Sequence, residues 1–115
     1  MKYQGSCHCG GIKFEAEGEL TGAMSCNCSL CQRKGALMWF VPHEQFTLLT
    51  PDENAGTYLF NKHVIKHRFC PVCGVAPYSE GVSPQGQSVA AVNIRCLEDI
   101  DLEAIPVKHF NGRAI

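Results

Sequence analysis

The stretch Cys26-Asn27-Cys28-Ser29-Leu30-Cys31 constrains this chain more than any other, because three thiols in six residues can converge on one metal ion and leave a position free. Cys7 and Cys9 precede it, Cys70 and Cys73 follow it, and Cys96 stands alone. A pair, a triple and a pair divide into a four-thiol site and a three-thiol site. Four thiolates fill a tetrahedral shell and hold structure, whereas three leave room for a ligand to react.

Eight cysteines in 115 residues could instead be the framework of a disulfide-stapled secreted domain. Spacing opposes that reading. Cys7 and Cys9, like Cys26 and Cys28, are two residues apart, a poor separation for pairing with each other, whereas zinc accepts closely spaced thiolates. The residues Met1 to Ser6 lack the apolar core of a secretory signal, and no apolar run approaches the ~20 residues of a membrane span. The expectation is a soluble cytoplasmic protein. Its length and 45% hydrophobic content suit one domain over residues 1–115 with a modest core. A net charge of -1 and a pI near 6.5 supply no basic excess, so neither nucleic acid nor an anionic membrane is an expected partner. The sequence carries no signal for oligomeric state.

The chain reads as short strands joined by turns, and its fold class is mainly β. Strands at 3–7 and 12–17 flank the turn Cys7-His8-Cys9-Gly10-Gly11. Ile12, Phe14 and Ala16 alternate with Lys13, Glu15 and Glu17, the period of a strand with one buried face. A loop through Gly18 and Gly22 leads to the triple-cysteine stretch. Ser29 is the expected N-cap of a short helical turn, with Gln32 three residues on and Gly35 at its end. Cys28 and Cys31 flank its start, where backbone N–H groups favour thiolate. Further strands are expected at 37–41, 46–50, 57–61, 64–69, 75–81 and 88–96, with a last one at 107–110. Trp39 sits among apolar neighbours and is expected in the core. Cys96 shares the parity of Ala90, Val92 and Ile94 and reads as a buried thiol.

Cys70-Pro71-Val72-Cys73-Gly74 is the most specific local motif, because Pro71 presets a turn and Gly74 permits the positive φ that closes a zinc knuckle. One knuckle supplies two ligands. The Cys7-x-Cys9-Gly10-Gly11 turn has the chemistry to supply the complementary pair. Clamping residues about 60 positions apart would remove roughly 4 kcal/mol of unfolded-state entropy, by the loop-closure relation used for disulfides.

The ordered set Cys7-x-Cys9-Gly10-Gly11, Cys26-x-Cys28-x-x-Cys31 and Phe69-Cys70-x-x-Cys73-Gly74 resembles the glutathione-dependent formaldehyde-activating enzyme family, also called the GFA or centromere protein V-like family. Gln32-Arg33-Lys34-Gly35-Ala36, Tyr58-Leu59-Phe60-Asn61-Lys62 and Asn93-Ile94-Arg95-Cys96-Leu97 also look like its intervening segments. The resemblance implies twisted antiparallel sheets like those of the zinc-binding Rab-accessory (Mss-four-like) proteins. It also implies a structural zinc at Cys7, Cys9, Cys70 and Cys73, and a second, catalytic zinc at Cys26, Cys28 and Cys31. The activity it implies is that of S-(hydroxymethyl)glutathione synthase, a carbon-sulfur lyase that joins glutathione to formaldehyde or cleaves the adduct. A small thiol such as glutathione and a small aldehyde are then the partners.

Arg33, Lys34, His67 and Arg68 are candidates for holding the carboxylates of a peptide-like thiol, and ordinary surface charge is the competing reading. His8, His43, His63 and His109 receive no function, since none has a metal-ligand partner spacing of its own. Two other classes use the same residues. A non-catalytic zinc-binding interaction module is favoured if Cys96 completes the second site. A redox enzyme resembling the methionine sulfoxide reductases would need Cys96 as its nucleophile.

Overall fold

Alternating side chains build the first sheet. In the computed structural model, which describes residues 1–60 and 65–112 but not the side chain of Phe60, β1 (Lys2–Ser6) pairs antiparallel with β2 (Lys13–Glu17). The other edge of β2 pairs with β5 (Phe46–Leu48). Phe14 and Ala16 are buried while Lys13 and Glu17 face solvent, so the period read from the sequence is realised.

The second sheet has seven strands among the described residues. Their order is β10 (Val107–Phe110), β3 (Ala23–Cys26), β4 (Met38–Pro42), β9 (Ser88–Asn93), β8 (Tyr78–Val82), β7 (Ile65–Phe69) and β6 (Gly56–Phe60). Neighbours are antiparallel except β10, which lies parallel to β3. Trp39 stands opposite Val92, Val41 opposite Ala90, and Tyr78 reaches Val92 from the other side, so these five buried side chains share one face. Phe14 and Phe46 of the first sheet pack onto that face, with ring centroids 5.3 Å apart from each other and Phe46 4.7 Å from Tyr78. The edge of Tyr3 meets Trp39 at 5.5 Å, which makes the lone tryptophan core, as expected. Each such side chain contributes about 1.5–3 kcal/mol by leaving water. The same parity sends Met24, Met38, Phe40, Ala91, Ser79 and His67 to the opposite face, where they border the cavity described below.

The differences from the sequence reading have local causes. The loop through Gly18 and Gly22 is present as expected, but it runs into an unexpected strand, β3, drawn into the sheet by β10 and β4 on either side. Strand β8 begins at Tyr78 rather than at 75, because the Val75 carbonyl accepts from Cys70 N–H and the Pro77 carbonyl from Asn93 N–H. Strand β9 ends at Asn93, whose side-chain oxygen accepts from Arg95 N–H and starts a 3-10 turn over Ile94–Cys96. Cys96 therefore leaves strand parity and is half-buried, packed beside the core rather than within it. The expected ends of two strands at 61 and 64, and the Asn61-Lys62-His63 corner, lie outside the described residues. No helix among the described residues is long and apolar enough to cross a membrane.

Arg68 is buried on the core-side parity of β7, and its charge is answered there. Its Nη1 lies 3.1 Å from Asp52 Oδ1 and 3.5 Å from Glu80 Oε2. Its Nη2 donates to the carbonyls of Asp52 and Ala55 at 3.0 and 3.3 Å. The guanidinium thus ties the 3-10 turn Asp52–Asn54 to strands β7 and β8. Arg68→Met should lower unfolding free energy in urea by about 1–2 kcal/mol, chiefly from the two carbonyls left without a donor, since the Asp52 carboxylate is 73% exposed and solvated without its partner. Arg68→Lys should recover little of it, because an ammonium cannot serve two carboxylates and two carbonyls in a fixed fork. A wild-type urea midpoint in both variants would contradict this account of the network.

Candidate metal centres

Two turns of like construction bring four sulfurs together. In each, the first cysteine donates its N–H to the carbonyl five residues on, Cys7 to Ile12 at 3.0 Å and Cys70 to Val75 at 2.9 Å. Each also closes on a glycine at φ 81°, Gly10 in one and Gly74 in the other, a backbone that a side chain would strain. The Sγ atoms of Cys7, Cys9, Cys70 and Cys73 all lie within 4.8 Å of one another, with Cys9 and Cys70 3.5 Å apart. Backbone N–H groups point at these sulfurs, Ile12 at Cys7 (3.3 Å) and Cys73 at Cys70 (3.5 Å). Hydrogen bonds from the Val75 and Cys9 N–H groups hold the Cys73 thiol down to about 6. The Gly11 N–H lowers Cys9 too, but its thiol neighbours, Cys70 first, and burial outweigh that bond and push Cys9 up to about 11, so the N–H donors favour thiolate, the form a metal ion binds, at Cys73 before Cys9.

The second cluster forms where β3 runs into the helix α1 (Ser29–Lys34). Cys28, not Ser29, is the N-cap: its sulfur accepts from Cys31 N–H at 3.3 Å. A hydroxyl cap one residue later would compete for that donor, so the sulfur displaces the expected capping box. Gly35 ends the helix in the left-handed region, as anticipated. The Sγ atoms of Cys26, Cys28 and Cys31 lie within 4.8 Å of one another, and among the described residues no other His, Cys, Asp or Glu joins them. Burial pushes Cys31 up to about 12. Burial opposes ionisation of Cys28 as well, but the Cys31 N–H and the neighbouring thiols outweigh it and lower its pKa. Between these two thiols, negative charge therefore gathers at Cys28 before Cys31.

Cys96 belongs to neither group. Its electrostatic neighbours are Cys7 and Cys73, and burial pushes its thiol up to about 11. It does not complete the three-thiol set, and it is a poor nucleophile where it stands.

The three sulfurs edge a cavity of about 300 Å³ on the outer face of the second sheet. His67 lines it, and also lines a neighbouring depression of about 360 Å³ beside Lys34 and Arg68. Three of the four basic residues singled out in the sequence thus line one or other of these two spaces. Arg33 does not: it is exposed and donates to the Ser29 carbonyl at 2.8 Å. Lys34 Nζ is 3.4 Å from His67 Nδ1. Burial, and then the Lys34 charge, push His67 down to about 4, which keeps its imidazole neutral. The charged end of Arg68 is occupied by Asp52, Glu80 and two carbonyls.

Residues 2–111 match the family described as glutathione-dependent formaldehyde-activating enzyme. The fold is also similar to the crystal structure of a protein from Rhodobacter sphaeroides, at a TM-score of 0.78 and 27% sequence identity. That match covers 91% of this chain and 99% of the other.

The end of the described chain closes the cluster, and the sequence reading missed it. Asn27 N–H donates to the Phe110 carbonyl at 3.2 Å and its side chain to Asn111 Oδ1 at 3.0 Å, which brings Gly112 over the sulfurs. A Cβ at Gly112 would lie 2.5 Å from Cys26 Sγ and 3.3 Å from Cys28 Cβ. The Asn-Gly dipeptide at 111–112 is a turn signal, but its partner across the chain is not visible in sequence. Gly112→Ala should push this segment off Cys26 and leave the core intact. Reaction with an aromatic disulfide, located by peptide mass mapping, should become severalfold faster at Cys26 while the melting temperature barely moves. Unchanged reactivity at Cys26 would contradict the close approach.

Proposed function

This chain belongs to the glutathione-dependent formaldehyde-activating enzyme family, and from that premise we propose that it is a zinc-dependent carbon-sulfur lyase acting on a thiol and a small aldehyde. One observation carries the reading: three sulfurs converge at the edge of a cavity, and among the described residues no fourth His, Cys, Asp or Glu joins them. Cys7, Cys9, Cys70 and Cys73 would hold a structural zinc, and Cys26, Cys28 and Cys31 a second one. Both donor sets fit such an ion by their chemistry, thiols approached by backbone N–H donors. A single domain over residues 1–115 in a reducing cytoplasm suits this chemistry, since all eight cysteines are free thiols.

When bound at the second set, zinc contributes Lewis acidity that favours the thiolate form of an incoming thiol. In the forward direction the thiol sulfur forms a bond to the aldehyde carbon. The carbonyl π pair moves to oxygen, and that oxygen takes up a proton equivalent to the one the thiol released. Cleavage runs the same steps backward. With Lys34 donating to Nδ1, the neutral His67 carries its proton on Nε2; that proton can pass to the oxygen as the Lys34 ammonium gives its own to Nδ1, which leaves both side chains neutral until the proton released by the thiol restores the ammonium. Lys34 adds a positive charge near the developing oxyanion. The cavity wall offers a surface that can hold the two reactants together, which would supply orientation.

Formaldehyde and thiols combine without a catalyst, so the measurement is the rate of exchange between a free thiol and its hydroxymethyl adduct, followed by NMR at equilibrium. The protein should raise this rate above background. Cys28→Ser should remove the acceleration while keeping the fold, whereas Cys73→Ser should unfold or aggregate. If Cys28→Ser keeps full acceleration, or a panel of small thiols shows none with wild type, the lyase reading falls.

A further inference from the structure

An antiparallel sheet with one face toward water ordinarily presents polar side chains there. Beside Cys26, Cys28 and Cys31 this sheet instead presents Met24, Met38, Phe40, Val89 and Ala91. Several of the large apolar side chains that stay exposed collect at the same place: Phe40 (47%), Ile65 (45%), Val82 (54%) and Phe110 (41%) all line the cavity. An exposed apolar patch that converges on reactive groups marks a ligand site rather than a solvated surface.

The charges point the same way. Glutathione brings two carboxylates and an ammonium, and an ion taken from water needs a partner. Among the described residues, neither the cavity nor the adjoining depression has an Asp or Glu in its wall to receive an ammonium. The Arg68 guanidinium is spent on Asp52, Glu80 and backbone carbonyls, and Arg33 lies off both walls. Among the described residues of these walls Lys34 is the remaining cation, and its Nζ is turned to His67 Nδ1. The depression beside it is walled by carbon, the Tyr58 ring and the stem of Lys34 among it.

We propose that the thiol accepted at the Cys26, Cys28, Cys31 site is an uncharged apolar one, alkyl or aryl-alkyl, in preference to a peptide thiol such as glutathione. The inference rests on the lyase reading for its chemistry, and on the cavity wall alone for its selectivity. The same addition applies: sulfur bonds to the aldehyde carbon and the oxygen gains the proton.

Met24 and Met38 report from inside the cavity and Met1, 76% exposed, from outside it. Protein labelled with carbon-13 at the methionine methyls, purified with its metals, is titrated with 2-phenylethanethiol and separately with glutathione, and exchange with formaldehyde is then followed for each. The Met24 and Met38 methyls should shift at about tenfold or more lower concentration of 2-phenylethanethiol than of glutathione, with Met1 unmoved. Phe40→Lys, on an exposed edge of the wall, should narrow that ratio. Preferential binding with accelerated exchange supports both readings. Preferential binding without acceleration supports the ligand class and removes the lyase reading. Glutathione binding as tightly as the apolar thiol overturns the inference, and leaves the lyase reading to be judged by exchange alone. No shift with either thiol overturns it as well.

Discussion

Everything in this fold depends on the meeting of two turns, one between β1 and β2 and one after β7, whose cysteines lie 61 residues apart in sequence at Cys9 and Cys70. Their four sulfurs fall within 4.8 Å of one another. Bringing them there fixes one end of the first sheet against one end of the second, which places Phe14 and Phe46 over Tyr78. A chain of 115 residues has a small core, and the loop closed between these turns would remove roughly 4 kcal/mol of unfolded-state entropy if a metal ion holds it. That is a large share of the stability such a domain has.

With one face of the second sheet given over to the core, its other face is left for chemistry. Residue parity makes the division: Trp39 and Val41 turn inward, while Met38 and Phe40 turn to the cavity. Strand β3 carries the division to its end, delivering Cys26 to the cavity side just where α1 begins. The helix is too short to matter for its packing. Its use is to direct the Cys31 N–H at the Cys28 sulfur, and so to gather three thiols at the border of an apolar wall. Structure and proposed function thus sit on opposite sides of one sheet.

What was legible in the sequence is what carries its own local geometry. The glycine-closed cysteine turns, the alternation in β2, and the helix ended by Gly35 were all readable, because each is fixed within a few residues. The helix start was misread by one residue, since rules for hydroxyl caps do not anticipate a sulfur taking the donor. What was not legible depends on distant partners. Strand β3 exists because β10 comes back parallel to it from 84 positions away, and Gly112 matters only because Asn27 holds that segment. Arg68 looked like a free cation beside the knuckle, but its answering charges sit on a turn and a strand that no motif connects to it. The apolar character of the cavity is likewise spread over six strands, each contributing one or two side chains that look ordinary alone.

The central claim is that the two sulfur clusters do different work, one holding the fold and one holding chemistry. Counting zinc on protein purified without chelator, and following circular dichroism as a chelator is added, tests it most directly. The account predicts two ions per chain, one released by mild chelation with the spectrum unchanged and the other lost only as the spectrum collapses. A single ion, or two ions leaving together with the fold, would contradict it.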